Sequence, residues 1–163
     1  TPDDAEELLQ YYIRNEEHLK AFEPVRDSSF YTYETQKEIL LESYRQLMTG
    51  VGSDLGIYLD GKLIGKAKIS SIVYGVFKSG ILGYSIDKEY EGKGYMKEAI
   101  NLVLNYAKEY LDLHRIEASV LTTNERSKGV LLACNFEEVG INKKYLYING
   151  KWSDHITFYK ILS

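Results

Sequence analysis

The most chemically specific stretch of the chain is Glu91-Gly92-Lys93-Gly94-Tyr95-Met96. It falls between an alternating run, Ile81 to Asp87, and a helical stripe of Met96, Ala99, Ile100, Val103, Leu104 and Ala107 that ends near Tyr110. A glycine-bearing turn at a helix start presents unpaired backbone N–H groups, and the helix dipole adds partial positive charge, so the chemistry on offer is capture of phosphate oxygens. Lys93 adds a cation whose side chain could equally face solvent. The loop lacks the Gly-Lys-Ser/Thr ending of a P-loop and the third glycine of a dinucleotide fingerprint, which counts against nucleotide hydrolysis and hydride transfer. Taken alone, such a turn is as compatible with a plain connection as with a ligand.

Composition narrows the classes. With 163 residues, 44% of them hydrophobic, residues 1–163 fit one globular domain with a core of its own. Twenty Lys and Arg against 24 Asp and Glu leave a net charge of -4, so no basic footprint points to nucleic acid. The single cysteine, Cys134, excludes an internal disulfide and a cysteine-rich zinc site; no metal is expected, and a reducing, cytoplasmic compartment fits. No apolar run is long enough to span a membrane, and Thr1-Pro2-Asp3-Asp4 lacks the basic and apolar regions of a signal peptide.

The elements that must hold the loop are legible as periods. Thr1-Pro2-Asp3-Asp4 reads as a helix start, and Ala5, Leu8, Leu9, Tyr12 and Ile13 begin an apolar stripe that persists to about Leu19, before Pro24 ends it. Arg26 to Tyr33 reads as an aromatic-rich loop, and Ile39, Leu40, Tyr44, Leu47 and Met48 form a second stripe stopped by Gly50 and Gly52. Leu55, Ile57 and Leu59 then alternate, Asp60-Gly61 makes a hairpin turn, and Leu63 to Phe77 is long enough to require bulges or bends. Ile116, Ala118 and Val120 alternate as a strand after the second half's long helix. Asn124 opens a short helix bearing Val130, Leu131 and Cys134, and Asn149-Gly150 joins the last two strands. The order predicts an α+β fold: a mixed, mostly antiparallel sheet flanked by helices.

In this setting four blocks resemble, in order, the GNAT superfamily of acyl-CoA-dependent N-acetyltransferases, and within it the Rim-type ribosomal-protein N-acetyltransferases. They are Leu82-Gly83-Tyr84-Ser85-Ile86, Tyr90 to Tyr95, Asn124-Glu125-Arg126-Ser127 with Asn135-Phe136, and Asn149 to His155. The resemblance covers nearly the whole chain. Two positions depart from it: the family's loop opens with Gln or Arg and closes with Gly or Ala, where this chain has Glu91 and Met96, although Gly94 is kept. A carboxylate at Glu91 would repel a pyrophosphate, so its side chain is expected to turn outward. The family's first strand would precede Thr1.

The resemblance implies acetyl-CoA as co-substrate, held between two adjacent parallel strands, here residues 81–87 and 115–121, that start together and splay. Leu82, Gly83, Tyr84, Ser85 and Ile86 would pair with the pantetheine and offer an oxyanion-stabilising N–H near Tyr84 to Ile86. Glu91 to Met96 would hold the pyrophosphate, with Asn124 near a pantetheine amide. Ser127 matches the family serine that protonates the departing thiolate, though a serine there also satisfies a helix start. Cys134 shares a helix face with Ser127 and Leu131, so its thiol could assist or simply pack. For the base, Glu23, Glu117 and His155 are candidates, and a peptide α-amine, with a pKa of about 7.7–8.0, needs little help.

The family's acceptor side maps to Arg26–Tyr33 and Tyr145–Trp152, where Phe30, Tyr31, Tyr33, Tyr147 and Trp152 could wall an aromatic slot or belong to the core. The acceptor implied is an amine-bearing peptide, most naturally the N-terminus of a ribosomal or other protein. A polyamine, an aminoglycoside or another small amine remains an alternative, as does a non-catalytic acyl-CoA-binding module. A homodimer could form through the long strand ending at residue 77 or through the last hairpin.

Overall fold

A computed structural model describes residues 1–163. The strands β1 (Ser53–Leu59), β2 (Lys62–Val73), β3 (Ser79–Ile86), β4 (Arg115–Leu121), β5 (Glu137–Ile148) and β6 (Lys151–Ile161) form one sheet in the order β1-β2-β3-β4-β6-β5. Every neighbouring pair is antiparallel except β3 with β4. Two hairpins follow from local chemistry. Asp60-Gly61 and Asn149-Gly150 each place two successive residues at positive φ, the geometry whose twist matches that of the flanking strands. The irregularity expected in the second strand is present as a register shift between Ser70 and Val73 against β3, with Ser71 at a φ of 51°.

The helices are α1 (Ala5–Arg14), α2 (Glu16–Leu19), α3 (Tyr33–Thr49), α4 (Tyr95–Glu109) and α5 (Glu125–Ala133). Thr32 caps α3 by accepting the Thr35 N–H, and Gly50, at a φ of 76°, ends it. The first apolar stripe runs to Leu19 as expected, but not as one helix. Buried Asn15 interrupts it, donating through Nδ2 to the Tyr11 carbonyl and accepting the Lys88 N–H at Oδ1. That break ties the α1–α2 corner to the turn just after β3, the rim of the glycine loop. The main core lies between the sheet and α4 with α5, with Ile69, Ile100, Ile116, Leu131 and Phe158 near its centre; a second, smaller cluster of Leu8, Tyr11, Tyr12, Phe30 and Leu63 seats α1.

The same corner carries an ion pair whose carboxylate is buried. Arg14 Nε donates to Asp87 Oδ2 at 2.5 Å and Nη2 to the Leu63 carbonyl at 2.6 Å, and Asp87 also accepts the Glu89 N–H. Burial alone would raise the Asp87 carboxyl; the Arg14 guanidinium and the surrounding N–H donors outweigh it and hold the group below the usual carboxylate range. A depressed carboxylate contributes stability that is complete above its unfolded pKa of about 3.9 and is lost as pH falls through the folded value. Asp87→Asn should therefore destabilise the protein near neutrality by about 1–3 kcal/mol, the scale of losing charge-assisted hydrogen bonds at a buried carboxylate, and the gap from wild type should close as the pH falls below about 4. Urea unfolding as a function of pH checks this, and a gap that does not change with pH would contradict it.

Candidate active site

The parallel pair β3–β4 is joined for only three residue pairs, Ser79 with Arg115, Gly80 with Ile116 and Ile81 with Glu117. Beyond them β3 stays on β2 as far as Ile86, and β4 stays on β6 as far as Leu121, so the two strands part along their inner edges. Asp87 donates its N–H to the Ile64 carbonyl on the β2 side. Strand alternation then turns the N–H groups of Tyr84 and Ile86 toward the gap, where no ladder partner meets them.

A cavity of about 420 Å³ opens from this gap. One wall is Tyr84, Ser85 and Ile86; another is the loop, through Glu91, Gly92, Gly94, Tyr95 and Met96; a third is the start of α5, through Asn124 and Ser127. Gly92 and Gly94 both sit at positive φ, 69° and 84°, and Gly94 begins α4 with no side chain capping its N–H groups. The first turn of α4 is therefore left as an anion-directed set of donors. Lys93 does not line the cavity; its ammonium stands 5.6 Å from the centre of the Tyr90 ring. Leu82 lies in the main core and Gly83 is exposed, so of the five residues expected to pair with pantetheine only Tyr84, Ser85 and Ile86 face the cavity.

Opposite the free edge of β3, the Asn124 Oδ1 accepts the Ser127 N–H and fixes the first turn of α5. The Ser127 hydroxyl lies 2.5 Å from the phenol oxygen of Tyr84. Burial pushes the Tyr84 phenol up to about 12, against the opposing effect of its bond to Ser127, so the phenol keeps its proton at neutral pH. Ser85 makes a second hydroxyl pair with Tyr11, at 2.7 Å. The sequence pointed to the backbone of Tyr84 and not to its side chain, because nothing local signals a phenol meeting a residue 43 positions further on.

Several sequence expectations need correction. Glu91 does not turn out into solvent: its carboxylate lies 2.7 Å from His18 Nε2 and 3.4 Å from Arg126 Nη1, held on the rim between α2 and α5. Cys134 is fully buried with its thiol 3.7 Å from the Lys97 carbonyl, and burial raises that thiol, so it packs the core and does not reach the cavity. Cys134→Ala should leave kcat unchanged while costing about 1 kcal/mol of stability; a large fall in kcat with the protein still folded would return the thiol to the mechanism. The aromatic slot is not assembled either. Phe30 packs edge-on against Tyr12 at 4.8 Å inside the smaller core cluster, and Tyr33 lies on the surface of α3. Tyr147 and Trp152 meet edge to face across the exposed β5–β6 hairpin, with ring centres 5.4 Å apart. Tyr31 lines a second, smaller cavity behind α2. Aromatic residues on an edge hairpin satisfy cross-strand pairing first, which the sequence pattern alone does not distinguish from a ligand wall.

Apart from Glu23, already a base candidate, the residues that take their place were not singled out from the sequence. His18, Leu19, Phe22 and Glu23 bring the end of α2 over the cavity, and Arg126 closes the loop side. Arg126 sits inside the quoted Asn124–Ser127 block, and its side chain could have been suspected there; Phe22 has no signal beyond preceding a helix-ending proline. Of the three base candidates, Glu117 pairs with Arg115 on β4 and His155 is buried with Nδ1 against the Ser153 carbonyl, whereas Glu23 lines the cavity.

The comparisons with known proteins agree with this arrangement. Residues 1–137 match the family model described as the acetyltransferase (GNAT) domain. The chain is 38% identical over 154 residues to the probable N-acetyltransferase YjcK of Bacillus subtilis (strain 168), covering 93% of this chain and 85% of that protein. It is 35% identical over 158 residues to the ribosomal protein uS5-alanine N-acetyltransferase of Escherichia coli (strain K12), covering 94% and 80%. Among solved structures, ribosomal-protein-S5-alanine acetyltransferase from Vibrio fischeri matches with a TM-score of 0.94 at 38% identity, over 100% of this chain and 90% of that one. Mycobacterium smegmatis RimJ in complex with CoA-disulfide matches with a TM-score of 0.95 at 27% identity, over 99% and 78%. No helix of the chain is long and apolar enough to cross a membrane. The splayed strands, the open first turn of α4 and the matches along the chain have one reading: this chain belongs to the GNAT acetyltransferases and is an acetyl-CoA-dependent N-acetyltransferase.

Proposed function

We propose that the protein transfers acetyl from acetyl-CoA to the N-terminal α-amine of a protein, with a ribosomal protein as the acceptor class, by direct attack within a ternary complex. The observation that carries this reading is the free N–H edge of β3 facing the Ser127–Tyr84 hydroxyl pair across one cavity, in a chain 35% identical to a uS5-alanine N-acetyltransferase. Extended pantetheine pairs with the unpartnered edges as an added strand does, and the pyrophosphate meets the first turn of α4. The thioester carbonyl lies against the N–H groups of Tyr84 and Ile86, which stabilise the oxyanion once nitrogen has attacked. As the C–S bond breaks, the Ser127 hydroxyl donates to the leaving sulfur while Tyr84 donates to the Ser127 oxygen, and the new C–N bond remains.

An α-amine suits this site better than a lysine ε-amine. Its pKa of about 7.7–8.0 leaves a neutral fraction near pH 7, where an ammonium of pKa about 10.4 is almost wholly charged. The net charge of -4 favours a basic acceptor. Initial rates with peptides beginning in alanine or serine, a polyamine and an aminoglycoside, each varied against acetyl-CoA, test the reading. Intersecting double-reciprocal lines and the highest kcat/KM for the peptides are expected. A preference for the polyamine or aminoglycoside would replace the protein acceptor with a small amine.

A further inference from the structure

Behind the α2 end of the active-site cavity lies a second cavity of about 190 Å³, lined by Tyr12, Glu16, Lys20, Arg26 and Tyr31 among others. The two cavities share two residues, Leu19 and Glu23. Glu23 thus stands in the wall between them. Its backbone is fixed on both sides: its carbonyl accepts the Asn149 N–H from the β5–β6 turn, and Pro24 follows it. Its carboxylate, by contrast, makes no hydrogen bond or ion pair within the protein, unlike Glu91 on the same cavity, which is held by His18 and Arg126. A half-buried carboxylate left without a donor in a cavity wall is a group whose partner arrives with the ligand.

We propose that Glu23 is the base of the transfer: its carboxylate receives the acceptor's ammonium in the cavity that holds the thioester, removes a proton from it, and releases that proton toward the second cavity. This assignment rests on the acetyl transfer to an α-amine proposed above. The protons balance. Nitrogen begins as R–NH3⁺ and ends as an amide N–H, so two protons leave it. The first goes to Glu23 before the neutral amine attacks, and from there to water in the second cavity. The second leaves as the C–S bond breaks and ends on the CoA sulfur through the Ser127 hydroxyl.

The charges around Glu23 fit the task. Burial raises its carboxyl, and Arg26 and Lys66 pull it back down. Lys66, on β2, is itself lowered by burial and donates to the Tyr12 phenol at 2.8 Å. The other groups facing this wall are the phenols of Tyr11, Tyr12 and Tyr31, Glu16 and His18 on α2, and Lys20 just after it. A carboxyl raised by burial is a more effective proton acceptor than an exposed one.

The test compares wild type with Glu23→Gln and Glu23→Asp, using acetyl-CoA and a peptide beginning in alanine, with kcat/KM followed against pH and acetyl-CoA affinity measured separately. Glu23→Gln should lower kcat/KM about 10-fold at pH 7, the scale set by the fraction of an amine of pKa about 8 that is already neutral there. Its acid limb should move up to the peptide amine's own pKa of about 8, so the deficit shrinks as pH rises. Glu23→Asp should restore part of the rate, and acetyl-CoA should bind all three alike. A Glu23→Gln profile that overlays wild type, or a deficit constant across pH with weakened acetyl-CoA binding, overturns the assignment alone. A wild-type protein that acetylates no amine offered overturns the transferase reading, and this assignment with it.

Discussion

Valine at Gly94 should weaken acetyl-CoA binding by about 100-fold or more while leaving the protein folded. Gly94 has a φ of 84°, and a Cβ built there would meet no heavy atom within 4 Å, so the substitution creates no clash in the core. The cost is conformational. A β-branched residue is a strong outlier at that φ, and the free variant relieves the strain by moving the loop out of the left-handed region. Returning to the phosphate-binding geometry then costs about 1–3 kcal/mol, and each charge-assisted N–H hydrogen bond that the relaxed loop fails to make forfeits about 1.5–3 kcal/mol more. Calorimetric titration with acetyl-CoA reads this directly. Unaltered affinity would remove the pyrophosphate from this loop.

The second large effect concerns the thiolate side. Ser127→Ala should keep acetyl-CoA affinity and lower kcat by about 100-fold, the usual scale for loss of a positioned proton donor. Asn124 still accepts the N–H at position 127, so the start of α5 is preserved. Tyr84→Phe should fall in the same direction, because the phenol then no longer orients the serine hydroxyl 2.5 Å away. If the two act as one unit, the double variant is no slower than Ser127→Ala, and the penalties do not add. With its phenol pushed up to about 12, Tyr84 should contribute no limb to the pH profile between about pH 6 and 9. Additive losses would assign the two residues independent roles.

Much of the scaffold was legible because its signals are local. Asp60-Gly61 and Asn149-Gly150 carry their turn geometry in two residues, and the change of period between Asp87 and Met96 marks strand, loop and helix in order. The splay of β3 from β4 was an expectation of the family resemblance, and the pairing that stops at Ile81 and Glu117 has that form. The interruption at Asn15 was not legible, since the N–H that occupies its side-chain oxygen belongs to Lys88, 73 residues away. Glu91 failed for the same reason: repulsion from a phosphate was a sound argument, but the side chains that hold the carboxylate, His18 and Arg126, come from α2 and α5. Aromatic composition misled at Phe30, Tyr33, Tyr147 and Trp152, where core packing, a helix surface and a cross-strand pair claimed the rings. Glu23 was one of three carboxylate or imidazole candidates until the fold put Glu117 beside Arg115, buried His155, and left Glu23 lining the cavity.

Mass spectrometry of peptides incubated with the purified protein and acetyl-CoA, with thiol release followed in parallel, bears most directly on acetyl transfer to an α-amine. One acetyl group on the N-terminal amine of an alanine-initiated peptide, with one thiol released per acetyl and none on an internal lysine, is the expected result. Bound acetyl-CoA that stays intact in the presence of peptide, or acetyl found only on lysine or on a small amine, would contradict it.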